Sequence, residues 1–243
     1  MWLKFYMKNF YNITYSNGKN ILPMFKFIKG NTDLLSENIS DKKVLVLGSG
    51  PSARDVDWSS YDWDVLVTTS FFYLNDYVVS KKPVHITLSD LVDLKDSRLI
   101  NFLDENPRCT IGFEPKVHPF YESIEFQNFY KKYQSRLILY NVLGGKEGVA
   151  GRVCWLVLAC EPKMLYICGI DGISKDRETD PQNYFRNHVG TADEYPYDVY
   201  WKSFQEFGNS IYRLGRELNI DIKNLGKGKP YNMITNLSEQ YEL

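Results

Sequence analysis

Sulfur chemistry has little to work with in this chain. It carries four cysteines in 243 residues, and Cys109, Cys154, Cys160 and Cys168 nowhere form a C-x-x-C pair. Each lies in an apolar run, the pattern of buried free thiols in a reducing compartment rather than of disulfides or a zinc site. Long hydrophobic runs are missing too. The opening "MWLKFYMKNFYNITYSNGKN" is broken by Lys, Tyr and Asn, which argues against a signal peptide or a membrane span. A cytoplasmic protein is expected. The net charge is only −1, so there is no global pull toward nucleic acid or anionic lipid. No G-x-x-x-x-G-K-[ST] occurs, and this excludes a P-loop.

What is present suits a folded α/β chain. A hydrophobic fraction of 44% beside 24% charged residues supplies a sizeable core. Residues 1–41 read as an aromatic, basic-leaning arm that ends in "LLSENISDKK". From residue 42 to 243 apolar runs alternate with amphipathic stretches. Strands are expected at 43–48, 64–69, 84–89, 109–114, 136–141, 164–169 and 220–225. Helices are expected at 90–105, 122–134 and after the glycines at 144–151. That alternation predicts a doubly wound, mostly parallel Rossmann-like sheet. One connection breaks the rhythm: residues 172–198 form a polar stretch about 27 residues long, the length of a lid loop or of a plain surface insertion. It follows a strand directly, at the sheet edge where open α/β sheets bind ligands.

The stretch "KVLVLGSGPSARDVDW" turns on G-x-G-x-x-A at Gly48, Gly50 and Ala53. Such a strand-to-helix turn brings backbone N–H groups toward a phosphate or ribose. Ser49 and Ser52 add hydroxyls, and the helix that follows looks too short for an ordinary Rossmann unit. A nicotinamide enzyme, like most methyl-donor enzymes, wants an acid after the second strand. Thr68, Thr69 and Ser70 stand there instead, which argues against both cofactors. Ser89 closes the third strand. A second glycine cluster, Gly144, Gly145, Gly148 and Gly151, precedes an apolar helix that carries Ala150 and Arg152. With Lys146 it offers a second place for phosphate, or else glycine simply lets the helix approach the sheet. Asp55 and Asp57 make a superficial D-x-D in the first short helix or turn, and no metal is expected there.

The runs "VLVLGSGPSARDVDW", "DVLVTTSFFY", "VHITLSD" and "GVAGRVCWLVLACEPKMLYICGID" together resemble the small bacterial sialyltransferases that use CMP-sialic acid. They are also similar to related pterin-pyrophosphokinase-like proteins. The G-x-G-P-S turn and the G-I-D ending are the most specific parts, and the likeness spans about Lys43 to Leu225. It implies a glycosyltransferase that displaces a nucleotide from a sugar by an acceptor hydroxyl, without a metal or tightly bound cofactor. The family's asparagines after the first two strands are replaced by Ser49 and Ser70, and its later Ser-Gly becomes about Ala150-Gly151. A nucleotide sugar other than CMP-sialic acid is therefore the easier donor.

In that family a lid histidine takes the acceptor's proton and lid tyrosines help the leaving group. Of three histidines, His85 falls in a strand and His118 in a connection; only His188 lies in the lid. A pKa near 6.5 suits it to proton acceptance, although a solvent-facing loop histidine reads the same way. Asp193 and Asp198 are alternatives for the base. Arg186, Tyr195 and Tyr197 are candidates for the leaving phosphate. Asp171, ending G-I-D, suits a sugar hydroxyl or the lid's first turn. The expected partners are a nucleotide sugar and an acceptor glycan, or a hydroxymethylated base in DNA. The tail "KNLGKGKPYN" is the small basic cue for DNA. An ATP-dependent phosphotransferase and a non-catalytic nucleotide module remain open alternatives.

Overall fold

The structure is a computed structural model that describes residues 33–89, 91–113, 123–139, 148–171, 208–209 and 211–226. Its strands are β1 (Lys43–Leu47), β2 (Val65–Thr69), β3 (His85–Leu88), β4 (Thr110–Phe113), β5 (Leu137–Leu139), β6 (Met164–Cys168) and β7 (Asp221–Asn224). They form one sheet in the order β5-β4-β3-β2-β1-β6-β7. Every pairing is parallel, with Leu47 beside Thr68 on one side and Cys168 on the other. All seven fall within the runs expected from the sequence.

A parallel sheet needs both faces covered, and the strand alternation sorts the side chains accordingly. Leu45, Leu47, Leu66, Ile86, Leu88, Ile111 and Phe113 enter one core. On it pack α4 (Ser97–Glu105), through Leu99, Phe102 and Leu103, and α5 (Ile124–Tyr133), through Phe126, Phe129 and Tyr133. Val44, Val46, Val67, Leu165 and Ile167 enter the other. That face is covered by α1 (residues 33–39), α6 (Gly148–Leu158) and α7 (residues 211–218), through Leu35, Ile39, Val153, Val157, Ile211 and Leu214. Helix α6 is apolar nearly all round, and Val153, Cys154, Leu156, Val157 and Leu158 are all buried in this core, as expected of a helix with little solvent contact.

Two segments are placed differently from the sequence reading. The part of the arm at 33–39 is helix, and its Leu35 and Ile39 are fully buried in the domain's second core. The helix expected from residue 90 begins only at Ser97, because the Asp96 carboxylate accepts from the Arg98 N–H and caps it there. The segment before it is folded into turns, where Asp93 accepts from the Lys95 N–H. The helix after β1, α2 (Ser52–Asp55), has four residues, as short as expected. The short α3 (Asp76–Ser80) is capped by Asn75.

From β1 the chain winds outward to β5, then returns to the other side of β1 through β6. The carboxyl ends of β1 and β6 therefore form the topological switch point, the ligand edge of open α/β sheets.

Candidate functional site

The first glycine turn is stitched to the end of β6. Gly48 N–H donates to Cys168 O at 2.8 Å, and Gly50 N–H donates to Gly169 O at 2.8 Å. Ser52 N–H donates to Asp171 Oδ2 at 2.7 Å. Gly169 N–H donates back to Ser52 Oγ at 2.9 Å, and the Cys168 thiol donates to Ser52 O at 3.7 Å. Two glycines make this approach possible. Gly169 has φ +71° and lies against Gly48. A Cβ on Gly50 would stand 2.5 Å from Asp171 Oδ2 and 2.8 Å from Gly169 O.

This changes what the turn can hold. The N–H groups of Gly48, Gly50 and Ser52 have partners within the chain, those of Ala53 and Arg54 bond Gly50 O and Pro51 O, and Pro51 has none to offer. At the start of α2 the Asp171 carboxylate meets the Ser52 amide from within the chain. Ser52 is 0% exposed and Asp171 3% exposed. Both belong to the framework that fixes the edge.

Beyond the turn the edge offers hydroxyls. Ser49 follows β1, Ser70 follows β2 and Ser89 follows β3; all three are half-buried. Ser70 holds φ +35°, a conformation that costs an L-residue energy and tends to collect at functional edges. Its N–H donates to Thr87 O at 2.7 Å. Helix α6 begins at Gly148 and runs through Ala150 and a buried Gly151. One turn in, Arg152 is 6% exposed.

A polar seam that the sequence reading passed over leads up to this edge. His85 is 0% exposed; its Nδ1 lies 2.8 Å from Thr110 Oγ1 and its Nε2 2.9 Å from Thr87 Oγ1. Thr110 Oγ1 donates to Val84 O, so it accepts from Nδ1–H and leaves Nε2 to accept from Thr87. Burial lowers the His85 pKa to about 3, which keeps the ring neutral. Thr87 lies beside Thr69 and Gly112 in register. These residues share the face that α6 covers. The signal was legible: "VHITLS" places His85, Thr87 and Ser89 on alternate positions of a strand whose residues 85–88 are all buried.

By fold, the chain is similar to the monofunctional alpha-2,3-sialyltransferase Cst-I from Campylobacter jejuni. The TM-score is 0.56 at 18% sequence identity, over 85% of this chain and 81% of that one. The chain shares the fold of a sialyltransferase. A MAf glycosyltransferase from Magnetospirillum magneticum AMB-1 also aligns, at TM-score 0.38 and 13% identity, over 88% of this chain and 41% of that one. No family model and no curated protein matches the chain by sequence.

Of the residues singled out from the sequence, Gly48, Ser49, Gly50, Ser52 and Asp171 come together at the switch point, with Ser70 and Ser89 on neighbouring strand ends. His188, Asp193, Asp198, Arg186, Tyr195 and Tyr197 lie outside the described residues, as do His118, Gly144, Gly145 and Lys146. Asp55 and Asp57 are exposed, and Asp57 Oδ1 accepts from Ser59 Oγ at 2.7 Å. Among the described residues no three His, Cys, Asp or Glu side chains are grouped to hold a metal ion, and no helix is long and apolar enough to cross a membrane. The four cysteines are buried and free.

Proposed function

We propose that this protein is a glycosyltransferase that moves a sugar from a nucleotide-sugar donor to an acceptor hydroxyl by direct displacement, without a metal. The observation that carries this reading is the fold shared with sialyltransferase Cst-I over 85% of the chain. The hydroxyls of Ser49, Ser70 and Ser89 at the β1–β3 edge give it chemical content. Such an edge holds the ribose or base of a donor through neutral hydrogen bonds.

In this reading Arg152, one turn into α6, belongs on the phosphate side of the donor, where a guanidinium pairs with phosphate oxygens. His188 takes the acceptor's proton, with Asp193 or Asp198 as the alternative base, and Arg186, Tyr195 and Tyr197 offset the charge on the departing nucleotide. The acceptor is a glycan or a hydroxymethylated base in DNA. Serines where the resembling family has asparagines favour a donor other than CMP-sialic acid.

The test is a panel of CMP-, UDP- and GDP-sugars presented to the full chain, read by thermal stabilisation and by slow donor hydrolysis. One nucleotide class is expected to stabilise the protein by about 2.7 kcal/mol at a hundredfold excess over Kd. A flat response to every nucleotide sugar removes the proposal.

A further inference from the structure

In a Rossmann-type turn the ligand's pyrophosphate sits where the amides at the helix start point. Here that place is filled from within. The Asp171 carboxylate reaches across 119 residues to accept from Ser52 N–H at 2.7 Å, while Gly48 and Gly50 donate to the carbonyls of Cys168 and Gly169. We propose that Asp171 is a specificity-determining residue: its carboxylate takes the position of a ligand phosphate and confines the first turn to an uncharged, hydroxyl-bearing part of the ligand.

Three further observations support this. The carboxylate is almost wholly withdrawn from water, at 3% exposure, so a phosphate brought beside it meets a like charge with little solvent screening. It is also wedged in place, since it fills the volume that a Cβ on Gly50 would need. The groups that line the edge next to it, on Ser49, Ser70 and Ser89, are neutral hydroxyls able both to donate and to accept. They match a ribose or a nucleobase and give a phosphate no countercharge. Of the nearby cations, Arg54 in α2 is exposed and Arg152 lies on α6. Naming the hydroxyl-bearing group as a ribose rests on the nucleotide-sugar reading above; the exclusion of phosphate does not.

The experiment titrates the full-length protein with inorganic pyrophosphate and with cytidine, uridine, adenosine and guanosine, by calorimetry. It compares wild type with Asp171→Asn, which keeps an acceptor for Ser52 N–H but loses the charge. The expected result is at least a tenfold gain in pyrophosphate affinity, with affinity for the preferred nucleoside held within threefold. Unchanged pyrophosphate affinity overturns the inference, and so does an equal loss of nucleoside binding. A pyrophosphate gain with no nucleoside bound by either protein supports Asp171 as the excluding charge and sinks the nucleotide-sugar reading instead. Should Asp171→Asn fail to fold, a wild-type crystal soaked in pyrophosphate decides. An anion bonded to the amides of residues 48–52 overturns the inference, and a turn still closed by Asp171 upholds it.

Discussion

Gly50 and Asp171 are fitted to each other: a Cβ on Gly50 would stand 2.5 Å from the Asp171 carboxylate oxygen that caps α2. Gly50→Ala must therefore displace either that buried carboxylate or the carbonyl of Gly169, at 2.8 Å. The expected cost is about 1–3 kcal/mol, the range for overpacking a close-packed site, read by urea denaturation. Gly169→Ala should cost more. Its φ of +71° adds left-handed strain of about 1–2 kcal/mol to the collision with Gly48. Equal stability of Gly50→Ala and wild type would mean that the two segments are not locked.

How much of this could be read from residues alone differs by distance along the chain. The strands were legible because each is a short apolar run flanked by breakers, as in "KVLVLGSGP". Helix starts were legible where a capping residue stands out, as Ser123 does before α5. They were missed where two candidate caps compete, as Asp93 and Asp96 do before α4. The Asp171–Ser52 bond was not legible, because nothing local marks a carboxylate as the partner of an amide 119 residues away. The same holds for the contact of His85 with Thr110, which the register of β3 and β4 fixes.

His85 gives a pH signature. Its pKa is about 3 in the folded protein against an ordinary value of 6.5, so between those values the unfolded chain binds the extra proton. Stability from this group is complete above pH 6.5 and falls as pH drops, by about 1.4 kcal/mol per pH unit once well below 6.5. Denaturation curves from pH 7 to pH 5 should show wild type losing more stability than His85→Gln, which cannot titrate. Identical slopes for the two proteins would contradict a buried neutral imidazole.

The thiols are expected to be silent. Burial raises the pKa of Cys109 and Cys168 to about 12 and of Cys160 to about 11, and pushes Cys154 up as well. At pH 8 almost no thiolate forms, and the sulfurs are shielded from reagent. A chromogenic disulfide should label none of the four within minutes in the native state and all four in guanidinium. Rapid native labelling would show that one of them reaches solvent.

Arg136 acts as a cap for α4, a helix that precedes it by a strand and a second helix. Its guanidinium donates to Leu103 O and Asn106 O, both at 2.6 Å, holding carbonyls at the carboxyl end of α4, where positive charge is favoured. Burial lowers its pKa, yet an arginine keeps its charge at any ordinary pH. Arg136→Ala should cost about 2–4 kcal/mol, since it strands charge-assisted bonds in a buried place. Arg136→Lys should recover only part, because one ammonium cannot span both carbonyls with the guanidinium's geometry. Full recovery by lysine would reduce the role to charge alone.

Ser70 separates stability from function most directly. The residue keeps φ +35° although glycine would take that conformation without strain. Ser70→Gly is thus expected to stabilise the fold by up to about 1 kcal/mol, while Ser70→Ala keeps the strain and removes only the hydroxyl. If the edge holds a ligand as proposed, both variants lose nucleotide affinity by about the worth of one hydrogen bond, roughly 0.5–1.5 kcal/mol, and only Ser70→Gly gains stability. Thermal melts with and without nucleotide distinguish the two quantities in one experiment. Undiminished affinity in both variants would make Ser70 a strained turn with no ligand to justify it, and the site would then have to be sought nearer α6.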